Sequence, residues 1–280
     1  MKTFNVGCQL QYSLVQPTTM IFNIQVVNTK HQKTLQEDFK LEPSLKVEEY
    51  ISSPEGNRYI RVNAPTGDLK VSYQATVELL HFYAEDKAIA EIPPDQLPPE
   101  TFYYLYPSRY CQSDLMVGLA ESEFGELEPG YSRVSAICHW IYDKVKYLSG
   151  SSNSQTSAYD TATERAGVCR DFAHLGIAFC RALNIPARFV SAYAYKLEPP
   201  DFHACFEAYL GDRWYLFDAT QLAPLSGIIR IGTGRDAADV SFGTLFGSVQ
   251  MNEMKVFAEL AKGTTLGDNC EERVEAIAIA

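Results

Sequence analysis

Apolar residues change their spacing along this chain, and each change marks a new kind of element. From Phe4 to Leu14 and from Thr19 to Asn28 the chain is rich in β-branched and aromatic residues, with Gln16-Pro17-Thr18 as punctuation between them. Leu35 to Leu41 partly alternates, and Lys46 to Ser52 and Asn57 to Asn63 flank the turn-forming stretch Ser53-Pro54-Glu55-Gly56. Pro65-Thr66-Gly67-Asp68 then precedes a further strand, Leu69 to Tyr83. Short strands separated by polar turns predict an antiparallel β-rich module over residues 1–95, and no catalytic motif falls in it. Ile92 to Pro99 holds four prolines in eight residues, which favours an extended connection.

Beyond it the period becomes helical. Val134, Ile137, Ile141, Val145 and Leu148 recur at three and four, predicting a helix with one buried stripe. Gly150 to Ser157 reads as a Ser/Asn-rich loop. A second helix is predicted from Val168 to Leu183, stopped by Asn184 and confirmed by Ile185-Pro186. Arg188 to Tyr195, His203 to Leu210 and Arg213 to Thr220 read as strands. The last two are joined by Gly211-Asp212, a pair suited to a two-residue hairpin. Residues 100–280 are thus expected to form a second, α+β unit.

Charge and composition narrow the functions such a chain can have. With 24 Lys plus Arg against 35 Asp plus Glu, the 280 residues carry a net charge of −11. An acidic surface repels phosphate backbones and anionic lipid, so neither nucleic acid nor membrane is expected as a partner. No apolar window reaches the length of a transmembrane helix, and the N-terminus lacks an apolar run of signal-peptide length, so a cytoplasmic location is expected. The seven cysteines (8, 111, 138, 169, 180, 205, 270) are an odd count without an export signal, which favours free thiols. There is no CxxC pair, no HExxH spacing and no calcium-loop pattern, so no metal and no cofactor is expected.

Candidate chemistry gathers late in the chain. Cys169 follows Gly167 at the first turn of a predicted helix, where unpaired backbone N–H groups favour a thiolate and can hold an oxyanion. If Leu210 pairs with Arg213 across the hairpin, His203 faces Thr220 and Asp218 faces Cys205. His203 and Asp218 then share one face, a diagonal step apart, so the carboxylate can orient the imidazole. Other groups read as structural. His174 points away from Cys169 around the helix, and Cys180 lies three turns deeper. Cys205 and Glu207 share the His203 face as packing or network residues. Asp171 suits a helix N-terminus, Arg170 and Arg188 suit a solvated surface, and Trp140 and Trp214 suit packing.

Three ordered blocks carry a resemblance: Gly167-Val168-Cys169-Arg170-Asp171-Phe172-Ala173, then Arg181 to Arg188, then His203 with Asp218-Ala219-Thr220. They resemble the transglutaminase-like superfamily, and more narrowly its compact bacterial members often labelled cysteine proteases. Arg230 to Asp239 looks like the distal segment of these members, and the N-terminal β region resembles theirs. The resemblance implies an α+β, papain-like core, a Cys-bearing helix packed on an antiparallel sheet, preceded by a sandwich-like β module. It makes Cys169 the nucleophile, His203 the general base and acid, and Asp218 the orienting carboxylate. Cys205 stands where an aromatic is often found, and Asp218-Ala219-Thr220 replaces Asp-Pro-Thr; both change the walls of the site. The expected activity is thiol-dependent acyl transfer on an amide of a peptide or protein, ending in hydrolysis or amine transfer. Alternatives are a non-catalytic interaction module of the same fold and, third, peptide deglycosylation, for which the chain lacks paired CxxC zinc ligands.

Overall fold

The computed structural model describes residues 2–85, 88–261 and 275–279; Cys270 lies outside the described residues. The first third forms β1 (Lys2–Leu14), β2 (Thr18–Phe22), β3 (Gln32–Glu42), β4 (Val47–Ile51), β5 (Arg58–Ala64), β6 (Gly67–Leu79) and β7 (Phe82–Glu85). Then come α1 (Ser113–Phe124), α2 (Tyr131–Lys144), β8 (Lys146–Tyr147), α3 (Ala158–Glu164), β9 (Ala166–Gly167) and α4 (Cys169–Ala182). The remainder is β10 (Ala187–Ala194), β11 (Phe202–Leu210), β12 (Arg213–Phe217), β13 (Ile228–Gly234), β14 (Gly243–Phe246), β15 (Val249–Leu260) and β16 (Glu275–Ala278).

Period-two alternation builds the N-terminal unit. Phe4, Val6, Leu10, Tyr12 and Leu14 of β1 point inward, as do Leu69, Val71, Tyr73, Val77 and Leu79 of β6. They share one core with Met20 and Phe22 of β2 and with Ile60, Val62 and Ala64 of β5. The result is two four-stranded sheets, β15-β1-β6-β3 and β14-β2-β5-β4, on a common apolar interior. β14 and β15 thus pair with the N-terminal strands, although their place in the sequence groups them with the second unit. β15 runs antiparallel to β1 from Phe4↔Leu260 to Leu14↔Val249.

Two expected strands come out differently. The strand predicted from Thr19 to Asn28 ends at Phe22, because Asn23 turns its amide to the Arg58 carbonyl at 2.8 Å and its N–H to the Phe242 carbonyl at 3.0 Å. The strand predicted from Leu69 to Tyr83 is two strands, since Leu80 donates its N–H to His31 at 2.8 Å and β7 leaves to pair with β16.

In the second unit, helices cover one face of the sheet β12-β11-β10-β13. Val134, Ile137 and Ile141 of α2 are fully buried, as the stripe predicted, but the helix ends at Lys144 and Leu148 is exposed. α4 lies directly on β11: a Cβ added at Gly176 would sit 2.6 Å from the Phe206 ring, so glycine permits the close crossing. α4 gives way to Asn184 at φ +61°, a left-handed position that Asn tolerates. The far end of this sheet enters the sandwich core through Tyr193, Phe202, Ile229 and Ile231. No helix among the described residues is long and apolar enough to cross a membrane.

Candidate active site

Cys169 is placed by a small, non-local pairing. β8 runs parallel to β9 with Tyr147 opposite Gly167, and Leu148 donates its N–H to the Gly167 carbonyl at 2.9 Å. The chain then turns into α4. Buried Asp171 reaches back to accept the Val168 N–H at 2.8 Å, the role a first-turn carboxylate suits. Gly167 is needed here, because a Cβ would come within 2.7 Å of the Asp171 Cβ. Cys169 therefore stands at the start of a rigid helix, partly exposed, whereas Cys8, Cys111, Cys138, Cys180 and Cys205 are buried, all of them free. Burial pushes Cys8 and Cys111 up to about 12 and raises Cys138, Cys180 and Cys205.

The histidine and carboxylate come from the hairpin in the predicted register. Leu210 pairs with Arg213 and Phe206 with Phe217; Asp218 lies just past the end of β12. His203 Nε2 and Asp218 Oδ2 are 2.7 Å apart, both side chains almost wholly buried. The other carboxylate oxygen accepts the Thr220 N–H at 2.9 Å and its hydroxyl at 2.7 Å, so Asp218 cannot rotate away. Burial alone would lower the imidazole pKa. The Asp218 carboxylate and the nearby Cys169 thiol outweigh it, and His203 is raised to about 10. Its Nδ1 is buried and makes no hydrogen bond of ordinary geometry, with the Cys169 thiol as the polar neighbour of the ring besides Asp218.

Two further groups were not nominated by the sequence, one beside the thiol and one beside His203. The Tyr147 ring packs against Phe172 of α4 at 5.7 Å, and its hydroxyl lies beside both the thiol and the backbone N–H of Cys169. Burial first, then the charge of Cys169, raises its pKa. Asp201, the residue before β11, interacts with both His203 and Tyr147.

The remaining nominated residues lie away from the thiol or support it. His174 is buried between the Tyr110 and Phe189 rings, accepts the Ala237 N–H at 3.1 Å, and is held neutral by burial. Cys180 and Cys205 are packed in apolar clusters. Arg188 is not solvated: it pairs with fully buried Glu207 at 2.6 Å and lies 4.2 Å over Trp214, while Arg230 holds the second Glu207 oxygen. Arg170, also expected at the surface, donates to the Asn153 carbonyl at 2.6 Å and faces Asp171. Trp140 packs on Phe124 and Phe179. Among the described residues no three His, Cys, Asp or Glu side chains converge as a metal-ligand set.

A helix-borne cysteine laid across an antiparallel sheet, behind a β sandwich, defines the class: a protein of the transglutaminase-like fold. The chain belongs to the transglutaminase-like superfamily. Residues 118–219 match the model of the transglutaminase-like superfamily core, and residues 1–100 match that of the bacterial transglutaminase N-terminal domain. A crystal structure of a candidate cysteine protease from Cytophaga hutchinsonii is 44% identical and superposes with a TM-score of 0.92, over 99% of this chain and 97% of that one. An uncharacterized protein of Mycobacterium leprae is 29% identical over 146 residues, 49% of this chain and 52% of its own length. One from Mycobacterium tuberculosis is 34% identical over 116 residues, 36% of this chain and 37% of its own. The chain thus spans about half or less of the curated relatives it matches.

Proposed function

We propose that this protein carries out thiol-mediated acyl transfer on amide bonds of peptides or proteins, with Cys169 as nucleophile, His203 as general base and acid, and Asp218 as the residue that orients it. The carrying observation is the buried 2.7 Å His203–Asp218 pair beside a partly exposed cysteine at a helix N-terminus. The Cys169 sulfur attacks the amide carbonyl carbon, and its proton passes to His203 Nδ1. The oxyanion takes up the Cys169 N–H, which in the resting site is donated to the Tyr147 oxygen, and the Tyr147 hydroxyl turns to serve as the second donor. As the C–N bond breaks, His203 returns that proton to the leaving amine, and a thioester remains on Cys169. Water or a second amine then attacks the thioester and releases the thiol.

Glutamine-containing peptides, incubated with and without a primary amine and followed by mass spectrometry, test this. An adduct on Cys169 and turnover abolished in Cys169→Ala are expected, with activity retained in the presence of a chelator. Product without amine incorporation would assign hydrolysis. Turnover persisting in Cys169→Ala would overturn the proposal. Limited iodoacetamide should likewise label Cys169 ahead of Cys8, Cys111, Cys138, Cys180 and Cys205, whose burial disfavours the thiolate.

A further inference from the structure

Asp201 is placed to do more than begin a strand. It precedes β11 directly and stands two residues before His203, whose imidazole feels its charge. Pro199-Pro200 stiffens the approach to it, and its Oδ1 accepts the Phe202 N–H at 2.7 Å, which tethers the carboxylate at the mouth of the site. The residue is exposed, and its charge is felt both by His203 and by Tyr147, the neighbour of the thiol. None of the ion pairs among the described residues includes it.

The charges around it leave an acidic balance. Asp218 faces His203 and stays almost fully buried, and Arg170 is offset by Asp171. Lys146 adjoins Tyr147, but on a strand its side chain projects to the opposite side. Asp201 is thus an exposed carboxylate in no ion pair on the connection into β11, while Lys196 on the same connection lines the adjoining cavity beside Asp218, on a chain of net charge −11. An exposed charge beside a partly exposed thiol discriminates by sign among approaching ligands.

We propose that Asp201 is a specificity-determining residue that favours substrates with a positive charge, a lysine or arginine side chain, next to the reacting amide. This rests on the reading of Cys169 as the nucleophile. The test needs no knowledge of the substrate. Folded protein is treated at low salt with the 2-aminoethyl, 2-sulfonatoethyl or methyl methanethiosulfonate, which are cationic, anionic and neutral, and mixed-disulfide formation on the Cys169 peptide is timed. Charged-reagent rates are divided by the neutral-reagent rate on the same variant, which removes changes in intrinsic thiol reactivity.

The cationic reagent is expected to exceed the anionic one, with the ratio falling about 5–10-fold in Asp201→Asn and staying near wild type in Asp201→Glu. High salt should compress the wild-type ratio toward that of Asp201→Asn. An equal ratio in wild type and Asp201→Asn overturns the role of Asp201 while leaving the nucleophile in place. Failure of Cys169 to react with any of the three overturns both.

Discussion

The two regions of the molecule handle polar residues in opposite ways. In β1 and β6 buried positions alternate with more open ones, so polar side chains such as Gln9 and Gln74 meet solvent and the interior stays apolar. β11 and β13 are buried nearly end to end, because helices or the sandwich cover one face and residues including Ile277 and Ile279 cover the other. Yet this sealed sheet holds His203, Glu207, Arg230 and Thr233. A polar group there is tolerated only if paired, which is why Glu207 is clasped by Arg188 and Arg230, and His203 by Asp218. Removal from water also strengthens the His203–Asp218 coupling. The His203–Asp218 pair thus sits at a sheet covered on both faces, whereas the sandwich keeps its polar side chains on open faces.

The division can be broken most sharply at Asp218. Asp218→Asn should keep the folded circular dichroism spectrum while turnover of any accepted peptide drops about 10⁴-fold, as expected when an imidazole loses its orienting acceptor. A rate within tenfold of wild type would return Asp218 to a purely structural role. Next in size is Glu207→Ala, which strands two arginines in the sealed sheet. Urea unfolding should show a loss of about 3–5 kcal/mol, with the double variant Glu207→Ala/Arg230→Met losing less than Glu207→Ala alone. In the sandwich, Met20→Ala should cost about 2–5 kcal/mol by leaving a cavity, with Cys169 alkylation in the still-folded protein at the wild-type rate.

The smallest effect concerns pH. His203 has a folded pKa raised to about 10, so the stability it contributes is complete below its unfolded value of about 6.5 and is lost as pH climbs toward 10. The gap in Tm between wild type and Asp218→Asn should therefore be wider at pH 6 than at pH 9.5. A gap that widened with pH would contradict the raised imidazole.

What the sequence revealed follows from how local each signal is. The His203–Asp218 geometry was legible because a two-residue turn at Gly211-Asp212 sets every pair beyond it. The start and stop of α4 were legible because Gly167 and Asn184 meet local backbone demands. Tyr147 was not, because it reaches Cys169 through two-residue strands twenty positions apart that leave no periodic trace. It had even been bracketed by the apolar stripe of α2, whose last expected member, Leu148, lies outside the helix. Arg188 was misjudged because its charge suggests solvent, whereas its partner Glu207 sits directly across the β10–β11 ladder. α1 went unseen, its buried Met116, Ala120 and Phe124 being interrupted by exposed Leu115 and Val117.

The pairing of β15 with β1 sets an order of assembly. On the ribosome β1 can find β6 early, but its other edge waits for residues 249–260. Until they emerge, a thirteen-residue strand offers a row of free N–H and C=O groups to any neighbouring chain, while the helices and sheet that hold the thiol are already synthesised. Contacts of such wide sequence separation close slowly. A nascent or truncated chain ending before residue 243 would thus present β1 as a sticky edge, and loss of these late strands should show first as self-association.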